Sequence, residues 1–151
     1  MTRERGERLR AYVEAVKGKP MQWGVDDCSL WVAQWVADET GRTFDWPVYS
    51  TEEEARQIID AHGGLVHVWD AVAKEAGMTP FFGEAPSVGD VGIIETRRGQ
   101  VGGIFTHGGG ICVRTVDGAA VLGVVGRSFP VRSENGEWER RPVVVKVWAL
   151  N

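Results

Sequence analysis

At about residue 86 the chain changes its period. Before Pro86, apolar residues recur every three or four positions; after it they come in short runs separated by turn residues. When all helical signals precede all strand signals, the alternating crossovers of a parallel α/β sheet are not available. The expectation is an α+β fold, with N-terminal helices packed on a C-terminal antiparallel meander. Leu9, Tyr12, Val13 and Val16 mark one helix face, closed by Gly18 and Pro20. A second helix opens at Asp26 or Asp27 and carries Leu30, Trp31, Val32, Trp35 and Val36 as far as Gly41. Ser50 and Thr51, each with a glutamate three residues on, read as capping boxes for a short third helix that stops at Gly63-Gly64. Leu65, Val68, Trp69, Val72, Ala73 and Ala76 trace a fourth.

The strand candidates are VGIIE, VGGIFT, ICVRT, AAVLGVV and VVVKVWAL. Arg98-Gly99, His107 with the three glycines after it, Asp117-Gly118 and Asn135-Gly136 are the turn signals between runs, the last two being strong hairpin dipeptides, and His107 reads equally as a turn residue. Arg42 to Pro47 and Phe81 to Pro86 read as loops. With 151 residues, 43% of them hydrophobic, the chain suits one domain with a real core. A net charge of −4 gives no basic footprint for nucleic acid, and no apolar run is long enough for membrane insertion. The N-terminus has arginines but no apolar segment after them, so synthesis in a cytoplasm is expected. Two cysteines and three histidines, unclustered, predict no disulfide framework, no metal and no cofactor.

The stretch QWGVDDCSLWVAQWV, residues 22–36, sets Cys28 at the start of the second helix. A helix N-terminus favours thiolate by only about 0.3–1 kcal/mol, and Asp26 and Asp27 oppose it. A histidine partner would do far more, since thiolate–imidazolium pairing lowers catalytic cysteines to pKa values of roughly 3–4. Whether Cys28 is a nucleophile is therefore a question about histidine. Unsupported, a cysteine at this position reads as a small buried side chain. Cys112, between Ile111 and Val113, reads as packing, and His62 and His67 as solvated.

Trp23-Gly24 followed by Asp27-Cys28-Ser29 at a helix head, with Gly89-Asp90-Val91 entering the first strand of the meander, resembles the signature of NlpC-type cell-wall cysteine peptidases. WGVDDC with GDVGII is similar, more narrowly, to NlpC-like proteins of the tail tips of tailed phages and gene transfer agents. The likeness covers about residues 20 to 115, in two islands. It implies residues 1–151 as a single NlpC-like domain of reduced papain-like fold, located in the virion tail, with other tail-tip or hub proteins, and peptidoglycan, as partners.

The family pattern implies a catalytic histidine on the sheet, and two registers compete for it. Aligned on Gly103-Ile104 the position is Val101, and the base is lost; aligned on Gly110-Ile111 it is His107. Leu30 stands where the family has glycine, Met21 where it has tyrosine, and no polar orienting residue occurs in AAVLG. Gln22, six residues before Cys28, matches the offset of a papain-like oxyanion glutamine. Trp23, Asp27 and Trp46 are the candidates for a substrate-facing surface. The resemblance thus leaves a degenerate, structural tail-tip component on one side. On the other stands an active murein endopeptidase with Cys28 as nucleophile, His107 as base and Gln22 at the oxyanion. An unrelated α+β binding module is the third reading.

Overall fold

Side-chain caps and glycines delimit the second, third and fourth helices of this protein where its sequence places them, while the first ends at Glu14, ahead of the expected Gly18-Pro20 stop, and Val16 lies in the turn that follows. A computed structural model describes residues 2–81 and 86–150. The helices are α1 (Thr2–Glu14), α2 (Cys28–Thr40), α3 (Glu52–Ala61) and α4 (Leu65–Ala76). Asp27 caps α2 by accepting from the Ser29 and Leu30 amides, and Gly41, at φ 68°, ends it in the left-handed conformation that glycine adopts without strain. At α3 the box is split between two residues. Thr51 Oγ1 accepts from the Glu54 amide, while Glu54 Oε1 reaches back to the amide and hydroxyl of Ser50.

Eight strands follow: β1 (Thr79–Pro80), β2 (Val91–Thr96), β3 (Gly99–Phe105), β4 (Gly110–Thr115), β5 (Gly118–Gly123), β6 (Ser128–Arg132), β7 (Trp138–Pro142) and β8 (Val144–Ala149). The fold is α+β, with one antiparallel six-stranded sheet in the order β1-β8-β2-β3-β4-β5 and a separate β6–β7 hairpin. The expected meander holds from β2 to β5 and then breaks. VVVKVWAL does not extend the sheet beyond β5; it returns as β8 to the other side of β2. Burial accounts for this. Val147 and Trp148 point to opposite faces and both are buried, which requires an interior strand, whereas β5 exposes Val121 and Leu122 and serves as an edge. The segment expected as a Phe81 to Pro86 loop lies largely outside the described residues.

The sheet has two buried faces. On one, Val91, Ile93, Ile104, Cys112 and Trp148 pack under Trp31, Trp35 and Val36 of α2 and Trp69 of α4. On the other, Ile94, Phe105, Ile111, Val113 and Val147 form a second cluster with Val124. α2 therefore lies across the sheet at the centre of the larger core, with Tyr12 of α1 stacked on Trp31 at 5.1 Å. Trp35 is anchored in direction as well as buried, because its Nε1 donates to the Gly89 carbonyl oxygen at 2.9 Å.

Candidate functional site

The turn before α2 is built by its two aspartates. Asp26 Oδ1 accepts from the Gln22 amide at 2.8 Å, and the Gln22 carbonyl oxygen accepts from the Val25 and Asp26 amides. Asp26 Oδ2 takes the Nη2 of Arg114, at the far end of β4, at 2.8 Å. Arg114 is fully withdrawn from solvent, and its Nη1 donates to the carbonyl oxygens of Lys19, Thr115 and Gly118. This buried guanidinium clamps the start of α2 to the β4–β5 turn.

Asp27 is buried and saturated. Besides the two helix amides on Oδ1, its Oδ2 accepts from the Gly24 amide at 2.9 Å and from the Tyr49 hydroxyl at 2.7 Å. Gly24 has φ 80°, and a Cβ there would fall 1.9 Å from the Tyr49 carbonyl oxygen. Only glycine fits this approach. The Trp23-Gly24…Asp27 pattern is thus the set of residues needed to fold the segment at 46–50 onto the α2 cap. Trp46 belongs to the same construction: it is half-buried, its ring lies 5.3 Å from Trp69, and its Nε1 donates to the Tyr49 hydroxyl at 3.4 Å. Trp23 is half-buried and Gln22 exposed.

Cys28 sits directly behind this cap. Burial, and next to it the Asp27 charge, push its thiol up to about 11; the Ser29 amide and hydroxyl and its own amide pull the other way without offsetting them. At neutral pH about one thiol in ten thousand is ionised at such a value. Asp27 accepts from the Ser29 and Leu30 amides, which leaves the Cys28 amide outside the cap's hydrogen bonds. No imidazole is among the groups acting on the thiol.

His107 lies elsewhere. It opens a short 3-10 turn at 107–109 between β3 and β4, is exposed, and turns its Nε2 toward Gly6 of α1, where a Cβ would lie 3.6 Å away. It lines a cleft of about 410 Å³ with Leu9, Val13, Val88 and Cys112, and Cys28 has no part in that lining. Arg114 contacts the turn before α2 from the far end of β4, whereas His107 precedes the start of that strand. Trp35, two turns along α2 from Cys28, is the residue on the His107 side, through Gly89 and its bond to the Phe105 carbonyl oxygen. Val101, the competing register, packs with the Ile94–Phe105 cluster on the sheet face opposite α2. In neither register is a histidine among the groups that act on the Cys28 thiol. His67 is exposed on α4, and His62 ends α3 with its Nδ1 2.8 Å from the Ile58 carbonyl oxygen. Cys112 is 3% exposed.

Asp90, in the second sequence island, is a clamp. Its Oδ1 accepts from the Leu150 amide and its Oδ2 from the Ser87 amide, while burial pushes its carboxyl above the ordinary range. Gly89, at φ 92°, leaves room for Arg5 and Trp35; a Cβ would meet Arg5 Cδ at 2.5 Å. Tyr49 and Arg114 were not anticipated. A lone arginine in the apolar run ICVRT was a signal for the second; nothing local marked the first.

Among the described residues no cluster of three or more His, Cys, Asp and Glu could hold a metal ion, and no helix is long and apolar enough to cross a membrane. Neither a curated protein nor a solved structure matches the chain. A family model does match, over residues 2–131, which takes in every helix, the α2 cap, the Gly89-Asp90 clamp and the sheet as far as β6. The chain therefore belongs to the family described as a domain of unknown function, DUF6950.

Proposed function

We propose that this chain is a non-catalytic, structural component of the tail tip of a tailed phage or gene transfer agent, built on an NlpC-like, papain-type framework and docking on other tail-tip or hub proteins. The tail assignment rests on the resemblance of the WGVDDC and GDVGII segments. The non-catalytic assignment is carried by one observation: Cys28 is backed by a carboxylate and has no imidazole acting on it. A cysteine nucleophile needs a base within hydrogen-bond reach or a depressed pKa, and this thiol has neither. Both sequence islands have structural work instead, Asp27 in the α2 cap and Gly89-Asp90 in the clamp between α1, α2 and the last strand.

Two measurements test this. Cys28 in the purified chain reacts with iodoacetamide at pH 6 no faster than an ordinary thiol, and its rate climbs through the alkaline range. Fast alkylation at pH 6 that is lost in His107→Ala would install the murein endopeptidase instead. In a phage or transfer agent carrying the gene, Cys28→Ser leaves particle yield and infectivity intact, while deletion of the gene leaves tails incomplete. Complete but poorly infectious particles with Cys28→Ser, together with release of murein peptides by the purified chain, would overturn the non-catalytic reading.

A further inference from the structure

The β6–β7 hairpin is a ribbon with two unlike faces. Its register, Ser128 opposite Pro142, Pro130 opposite Arg140 and Arg132 opposite Trp138, puts these six residues on one face, and all six are exposed. The other face carries the half-buried Phe129 and Val131. Trp138 is 68% exposed, with the Arg132 guanidinium 5.6 Å above its ring. Arg140 is steadied by its bonds to Ser128, and Arg132 by its bond to the Gly136 carbonyl oxygen. The outward face thus presents an indole and two held guanidiniums with no carboxylate, on a chain of net charge −4. Tryptophan and arginine are the residues that dominate protein interfaces when seated in a pocket. β7 also lies beyond the span that the family model matches.

The chain carries a surface of the opposite chemistry. A groove of about 300 Å³ runs between the segment at 45–47 and α4, with Trp46, Pro47, Val68 and Val72 as apolar walls and Asp45 and Glu75 on its rim. It is large enough for an indole. Among the described residues neither carboxylate forms an ion pair; Glu75 Oε2 only accepts from the Asp45 amide at 3.3 Å.

We propose that Trp138 of one copy seats in this groove on a second copy, with Arg132 and Arg140 meeting Asp45 and Glu75, so that the chain self-associates head to tail. Because the two surfaces differ, each copy added presents a fresh hairpin and a fresh groove, and the assembly closes as a ring or continues as a filament. The inference uses neither Cys28 nor the tail-tip assignment and stands if both fall.

Sedimentation velocity of the purified chain tests it. The wild-type chain forms species larger than a dimer as concentration rises, and added salt weakens them, because the rim charges are exposed. Trp138→Ala, with an unchanged circular dichroism spectrum, weakens association by about 30-fold or more. The Asp45→Lys, Glu75→Lys double variant does the same. Mixing the two variants restores a one-to-one dimer that grows no further, since one intact hairpin and one intact groove remain. A wild-type chain that stays monomeric at every concentration would overturn the proposal and leave the hairpin to a different protein. So would oligomers that Trp138→Ala leaves unchanged, or a variant mixture that stays monomeric, the mark of a like-to-like contact.

Discussion

The two ends of α2 are built from different chemistry. At the N-terminal end a buried carboxylate, a buried guanidinium and a tyrosine hydroxyl hydrogen-bond around the start of the helix, next to Cys28. Two turns on, Trp35 makes a single hydrogen bond and rests on apolar contacts, and beyond it His107 stands in solvent with no hydrogen bond among the described residues. A reactive cysteine site needs the thiol and the imidazole at one end. Here the groups acting on the thiol include the Asp27 carboxylate and no imidazole.

The comparison is broken most severely at the apolar end. Trp35→Ala removes a fully buried ring and its bond to Gly89, and costs about 3–5 kcal/mol in chemical denaturation. At the polar end, Asp27→Ala uncaps the helix and strands the Gly24 amide and Tyr49 hydroxyl, for about 2–3 kcal/mol. Tyr49→Phe, which deletes one donor, costs about 1 kcal/mol. A loss with Asp27→Ala larger than with Trp35→Ala would reverse the ranking of the two ends.

A smaller effect separates them by pH. Burial alone would raise the Asp26 carboxyl, but the Arg114 contact and the Gln22 amide outweigh it and hold it below its ordinary range. Its stabilisation is present above the unfolded value near pH 4 and is lost as pH falls through the lower folded one. Asp90 runs the opposite way, because burial raises its carboxyl: its contribution is full below the unfolded value and is lost as pH rises through the folded one. Asp26→Asn therefore destabilises by about 1 kcal/mol at pH 7 and by less at pH 2, read from urea midpoints at both. An equal loss at both pH values would mean that the Arg114 pair carries no titrating stability. The smallest effect is that of His107→Ala, within about 0.5 kcal/mol, as for an exposed side chain without partners. It also leaves the Cys28 alkylation rate unchanged; any change would show that the two ends communicate.

The sequence by itself determined the local structure. Asp27, Thr51 and Gly41 act within a few residues of themselves, so both ends of α2 and the start of α3 could be read from spacing, and the tryptophans on the α2 and α4 stripes could be read as core. Gly89-Asp90 and Trp23-Gly24 were legible as motifs, but their roles as clamp and cap depend on Leu150 and Tyr49, which are distant in the chain. Only the tertiary structure decided the position of β8, since an apolar run carries no address for the strand it will join. It alone also decided the relation of Cys28 to the histidines. Register along β3 and β4 sets which face and which end a side chain occupies, and a shift of one residue turns Val101 from one face of the sheet to the other. The chemistry of this chain hangs on that long-range pairing, which is set by packing across the sheet and not by any residue near Cys28.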